Sequence, residues 1–195
     1  LTKRDIRMTE VATGANAQVL IAKEVSYGVT PPSDEFKKYV FKSCGLDGSQ
    51  NLIENDDLGM GREALAPTLG RRSVAGDMNV PVDLRAIGLW FTGLLGSPVT
   101  SELSSVFTHI FSSGKDSLPS FSIEKSFKEV KDYSSFNGCK VGSMDFDFQA
   151  DGNASASVSL IGKREVNSDT TIKSAPTQYS YKPFSNAQGY LSIDG

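Results

Sequence analysis

A single histidine, His109, stands between Phe107 and Phe111 in Val106–Phe111, a run that alternates like a strand. Serine and aspartate are also plentiful, but no Gly-x-Ser-x-Gly turn frames a serine as a nucleophile, so a packed or partner-bonded strand histidine is the better reading. Gly59-Met60-Gly61-Arg62 has the start of a phosphate loop. It lacks the third glycine and the lysine that would hold phosphates, and no strand-to-helix passage surrounds it, so it reads as a turn. Glu54, Asp56 and Asp57 offer the hard oxygen ligands that calcium takes, without EF-hand spacing, and read as a solvated acidic turn. Asp145 and Asp147 lie about 7 Å apart along a strand. Acids alternate in this way on any wet sheet face, so the spacing alone is no argument for a paired-carboxylate mechanism. Cys44 and Cys139 are far apart and in no Cys-x-x-Cys pair, and read as free thiols, not as a zinc site or a disulfide framework. The expectation is a chain with no catalytic residue, no metal and no cofactor.

The bulk properties are those of an ordinary soluble chain. A chain of 195 residues makes one large domain or two small ones, with enough length to bury a core without covalent staples. A net charge of −3 and a pI near 5.2 argue against gripping nucleic acid by phosphate neutralisation, but not against letting DNA slide past. No run approaches bilayer-spanning length, and the opening LTKRDIRMTE has no apolar signal core. The expected protein is soluble, made in the cytoplasm, and does not bind membrane by itself. The ending LSIDG is a strand-like run followed by an Asp-Gly hairpin signal with no returning strand, and reads as a chain cut short.

The elements that would hold these residues are mostly strands. Residues 1–16 read as an arm that orders only against a neighbour. Residues 17–195 read as one β domain. Strand candidates are Ala17–Glu24, Lys37–Phe41, Val106–Phe111 and Pro119–Phe127, the last with Phe121, Ile123 and Phe127 facing a core and serines and Glu124 facing water. The region 45–75 is too long for a plain loop and reads as an extended hairpin or flap on Asn51–Glu54 and Arg72–Asp77. In GSMDFDFQADGNASASVSL, Met144, Phe146 and Phe148 oppose Asp145, Asp147 and Gln149, and Ala154, Ala156, Val158 and Leu160 alternate with serines. A two-residue Asp151-Gly152 turn would mix these faces. A three-residue loop, Ala150 to Gly152 or Asp151 to Asn153, keeps them apart.

The only convincing helix follows Gly76–Pro81. Asp83 is placed to cap it, with Leu84, Ile87, Phe91 and Leu94 as the packing stripe and Gly96 and Pro98 as the stop. Trp90 lies off that stripe and reads as core or interface filler. The helix is too short to persist in water alone, so a β layer must cover its apolar face. Gly88 and Gly93 are the places where that layer could approach closely.

DLGMGREALAP (57–67), GDMNVPVDLRAIGLW (76–90), FTGLLGSP (91–98), LPSFSIEK (118–125) and NGCKVGSMDFDFQADGNASASVSLIGKRE (137–165) follow one another in an order that resembles the major tail tube protein of long-tailed, siphovirus-like bacteriophages and prophages. The resemblance spans residues 17 to 193. It implies a mainly β fold, a β-sandwich or half-barrel of antiparallel strands with one flanking helix. It also implies a virion structural protein, assembled in the host cytoplasm, whose hexameric rings stack into a channel for DNA. Its partners would be further copies of itself, the tape measure and terminator proteins, and DNA in transit. Two site expectations join this to the residues: Asp145, Asp147 and Gln149 face the lumen, and the flap carrying Asp57, Arg62, Arg71 and Arg72 makes intersubunit contacts. The competing readings are a tail terminator, a baseplate hub or, from another class, a carbohydrate-binding β-sandwich.

Overall fold

The computed structural model describes residues 13–55, 66–149 and 152–185. In chain order the strands are β1 (Ala17–Lys23), β2 (Lys37–Tyr39), β3 (Ser43–Cys44), β4 (Asp47–Ile53) and β5 (Thr68–Pro81). Helix α1 (Ile87–Leu95) follows, then β6 (Val99–Leu103), β7 (Val106–Ile110), β8 (Phe121–Phe127), β9 (Asp132–Asp147), β10 (Ser155–Gly162), β11 (Arg164–Ser168) and β12 (Thr177–Gln178). Among the described residues the fold is mainly β with a single α-helix, in keeping with the alternating runs.

β9 is the spine. Along one edge it pairs first with β11, from Tyr133↔Ser168 to Asn137↔Arg164, and then with β10, from Lys140↔Ile161 to Asp147↔Ser155. Its first half also pairs with β8, leading on to β1, β2 and β12, while β10 leads on to β5 with β3 and β4. One strand therefore serves two layers and must bend between them. The bend is at Gly138, whose φ of +70° suits glycine and where a Cβ would stand 2.7 Å from Lys163 Cβ. The curling carries β4 round to β11, where a Cβ on Gly48 would collide with the Glu165 side chain. This near-closure gives the half-barrel form.

Between the layers lie Ile21, Met78, Phe121, Ile123, Phe136 and Val158, each at most 2% exposed. Trp90 from α1 joins the same cluster. The expectation of a half-wet β8 is corrected. Its polar side, Ser122, Glu124 and Ser126, is also buried, beside a second small core of Leu20, Ala22 and Phe36 with Ile172 packed against it. Glu124 is stable there because it accepts the Thr171 hydroxyl and the Ile172 N–H, both at 2.6 Å. A loop thus covers a strand face that alternation marked as open.

α1 is held at its entry by the chain's later segment. Asp83 Oδ1 accepts the N–H of Arg85 at 3.0 Å and of Lys182 at 3.2 Å, and the Asp83 carbonyl accepts from Ala86 and Ile87. The cap expectation is corrected: Asp83 caps the turn at 84–86 that leads into the helix, while α1 itself starts at Ile87 with Ala86 at its N-cap and no side-chain cap. The packing stripe is corrected by about one residue. Trp90 and Gly93 are the buried positions, Ile87, Leu89 and Leu94 are half-buried against the core, and Leu84, ahead of the helix, is 62% exposed. Of the two helix glycines only Gly93 marks a close approach, since a Cβ there would lie 2.6 Å from Val141 Cγ2 and 2.9 Å from Phe121 Cε2.

β6 and β7 form a separate two-stranded hairpin, with Val99 opposite Ile110 and Leu103 opposite Val106. Its turn residues Ser104 and Ser105 both have positive φ, 51° and 64°. This is the mirror-image turn that matches strand twist. The strand Val99–Leu103 had no sequence expectation, because Ser-Ser is not among the dipeptides that announce such a turn.

Candidate functional site: the polar sheet face and its flanking hairpins

The layer of β9, β10 and β5 has one apolar and one polar face. Its register places Asp147 beside Ser155 and Pro81, Asp145 beside Ser157 and Asn79, and Ser143 beside Ser159 and Asp77. Phe146 pairs with Ala156 and Met144 with Val158 on the other side. This is the register of the Ala150–Gly152 loop. Ala150 and Asp151 themselves lie outside the described residues, and a one-residue extra at Gly142 shifts the ladder between Ser159 and Leu160. Had the two-residue turn formed, each phenylalanine would have faced a serine.

The three rungs of the polar face carry three carboxylates, Asp77, Asp145 and Asp147, all exposed, and no cation. Four serines, Asn79 and Pro81 fill the rest, and Asn79 Nδ2 donates to Ser43 Oγ at 2.8 Å, extending the surface onto β3. Gln149 lies just beyond β9, where its Nε2 donates to Asp147 Oδ2 at 2.9 Å. Asp77 and Asn79 were missed in the sequence, although their alternation with Met78 and Val80 was there to be read. The next rung of the same face sets Lys140 and Ala75 beside Ile161, and the Lys140 ammonium lies 5.6 Å from the Tyr27 ring centre, with that of Lys163 at 5.2 Å.

β4 and β5 form the base of the flap, from Asp47↔Ala75 to Ile53↔Thr68. Arg71 and Arg72 are exposed on β5, and Arg72 Nε donates to Gln50 Oε1 at 3.0 Å. Asp57, Arg62 and the Gly59–Arg62 turn lie outside the described residues. Leu52, Ile53 and Leu69 are 61%, 57% and 69% exposed, with Leu52 and Leu69 paired on one face of the hairpin and Ile53 on the other. Between this hairpin and β11 lies a polar cleft of 250 Å³ lined by Gln50, Arg72, Glu165 and Asn167, among others.

The residues examined for chemistry are dispersed. His109 is exposed on β7, with its Nδ1 2.8 Å from Thr100 Oγ1. Cys44 and Cys139 are free, and burial pushes both thiols up, that of Cys139 to about 12, which keeps it protonated and inert. Among the described residues no cluster of three His, Cys, Asp or Glu side chains could hold a metal, and no helix is long and apolar enough to cross a membrane.

None of the curated proteins matches this sequence. Among solved structures, a chain of the PVC sheath–tube complex, an extracellular contractile injection system in its extended state, superposes with a TM-score of 0.54 at 16% identity, over 86% of this chain and 98% of that one. A chain of the anti-feeding prophage baseplate gives 0.53 at 10% identity, over 83% and 97%. The SPP1 tail tube gives 0.44 at 12% identity, over 80% and 78%. At these identities the first two likenesses speak for the fold, a half-barrel with one helix. The family model described as phage tail tube protein matches residues 14–195. The chain therefore belongs to the phage tail tube protein family, and is a structural, non-enzymatic component of a virion tail.

Proposed function

We propose that six copies close into a ring, that rings stack, and that the polar faces of the β9–β10–β5 layers join as the wall of the DNA channel. The observation that carries this is that the three rungs from Asp147 to Asp77 carry three carboxylates and no cation, with Lys140 entering only on the next. Binding of DNA grows with each phosphate neutralised by Lys or Arg. A wall that offers hydroxyls and carboxylates instead repels the backbone and lets it pass. Asp145, Asp147 and Gln149 are lumen-facing in this reading, now with Asp77 and Asn79. The sixfold number is supported by the anti-feeding prophage baseplate, which was solved with sixfold symmetry.

The flap is the contact between subunits or between rings. Its exposed Leu52, Ile53 and Leu69 require cover, Arg71 and Arg72 stand exposed on the same hairpin, and Asp57 and Arg62 belong in sequence to the segment that joins its strands. Ile87, Phe91 and Leu94 brace the helix against the sheet and serve assembly by fixing that layer, with Leu84 available to a neighbour. Tape measure and terminator proteins are the further partners in this scheme. Electron microscopy of concentrated protein tests the reading. Hollow tubes with a sixfold cross-section are expected, and a chain that stays monomeric at every concentration would overturn it.

A further inference from the structure

All ten residues of the β6–β7 arm are exposed, so the arm does not fold back on its own body. One face carries two aliphatic pairs, Val99–Ile110 and Leu103–Val106, on either side of the Ser101–Thr108 rung, with Val99, Leu103, Val106 and Ile110 65%, 80%, 65% and 60% exposed. An isolated two-stranded hairpin is marginal in water and needs a third strand or a packed face. Exposed edges that must stay unpaired are blunted by lysine, proline or a bulge. This arm has none of these, and Glu102 is its only acid or base besides the histidine. It is built to be covered.

A complementary surface begins at the arm's base. Phe111, next after β7, packs on Phe91 at 5.5 Å between ring centres. Phe91 packs on Phe146 at 5.9 Å, and Phe146 stacks on Phe148 at 5.8 Å with the planes 10° apart. The row ends in the open, with Phe148 57% and Phe146 38% exposed. One chain thus carries an aliphatic strip and an aromatic strip joined end to end, and the exposure of the arm shows that the two do not meet within it. We propose that the β6–β7 arm of one copy lies across the Phe146–Phe148 end of the aromatic row of the next, a head-to-tail contact that propagates around a ring. This rests on the tail tube reading and names a residue-level partner surface within it. A head-to-tail contact leaves one free strip at each end of an open chain of copies, and only ring closure satisfies both.

The test mixes two disabled chains. Leu103→Asp with Val106→Asp disables the arm, and Phe148→Ser, at an exposed tip position, disables the row. Circular dichroism melts confirm that each folds. Alone, each variant is expected to need at least ten times the protein concentration of the parent to polymerise. Mixed in equal amounts below that threshold, they should form a 1:1 heterodimer by analytical ultracentrifugation, because one intact arm meets one intact row. Two folded variants that give no heterodimer, an arm variant that still self-associates, or tubes forming from either variant at the parent's concentration would overturn the arm contact while the tail tube reading stands. A parent protein that never self-associates would overturn both.

Discussion

The carboxylate of Glu24 accepts the backbone N–H of Gly138 at 2.7 Å, tying the end of β1 to the bend that takes β9 from one layer to the other. The same side chain accepts the Gly28 N–H at 2.7 Å and the hydroxyls of Ser120 and Ser122 at 2.6 and 2.7 Å. Burial pushes this carboxyl up, but the four donors, led by Ser120, outweigh it and hold its pKa below the usual value. A lowered folded-state pKa contributes stability that is present above the unfolded value of about 4.5 and is lost as pH falls through the folded one. In Glu24→Gln the amide end faces a serine, whose hydroxyl can rotate to accept, and a backbone N–H, which cannot. The orphaned N–H should cost about 1–3 kcal/mol near neutrality. Thermal melts between about pH 2 and pH 7 should show the variant losing less stability on acidification than the parent. Equal acid sensitivity would remove Glu24 from this role.

What the sequence disclosed and what it hid divide along a physical line. Alternation of Met144, Phe146 and Phe148 against Asp145 and Asp147 disclosed the strand and its apolar face and narrowed the register to two, because a one-residue slip would have reversed every side chain. The pairing of Asp147 with Ser155 selects between them. That Asp83 turns the chain ahead of the helix was legible because its bond to the Arg85 N–H is local, whereas the start of regular helix at Ile87 was not. The helix stripe was read in part: Ile87 and Leu94 pack on the core, Leu84 does not, and Trp90, not Phe91, is the fully turned-in aromatic. Trp90 and Phe91 are both apolar, and only the approach of Val141 and Phe121 to Gly93 decides which is turned inward. The burial of Glu124 was hidden for the opposite reason, since its cover comes from Thr171 and Ile172, 47 and 48 residues away. Asp77 and Asn79 carried the right signal, but their membership of the polar face depends on pairing with β10, which no local pattern states.

The two helix glycines should respond with opposite signs. Nothing lies within 4 Å of a Cβ at Gly88, so Gly88→Ala gains helix propensity of about 1 kcal/mol. At Gly93 the same methyl meets Val141 and Phe121, which are 5% and 0% exposed and cannot yield easily. Overpacking of about 1–3 kcal/mol should match or exceed the propensity gain, giving net destabilisation. Urea midpoints of the two variants check this, and a stabilised Gly93→Ala would show that α1 sits further from the sheet.

The arm's turn offers a local lever. Ser104 and Ser105 occupy the left-handed region, which costs an L-residue roughly 1–2 kcal/mol and suits Asn-Gly far better. Ser104→Asn with Ser105→Gly should stabilise the hairpin without touching the body. Hydrogen exchange at β6 and β7 amides should slow by about fivefold for each kcal/mol gained, with β8 and β9 unchanged. Unchanged exchange in β6 and β7 would mean that the turn is not what limits the arm.

The polar face makes the most direct electrostatic prediction. Asp77, Asp145 and Asp147 are exposed, so Lys at all three positions reverses the sign of the proposed wall with little effect on the apolar face behind it. Tubes assembled with short DNA duplexes should exclude DNA in the parent and retain it in the triple variant. The salt dependence should have a log–log slope of about −0.9 per phosphate contacted. Location is decided by nuclease, because DNA held within the channel is protected, whereas DNA bound to an outer surface is digested. Retention with full protection fits a lumen-facing β9–β10–β5 layer. Retention that nuclease abolishes would place this face on the outside and return Asp145 and Asp147 to ordinary solvated surface.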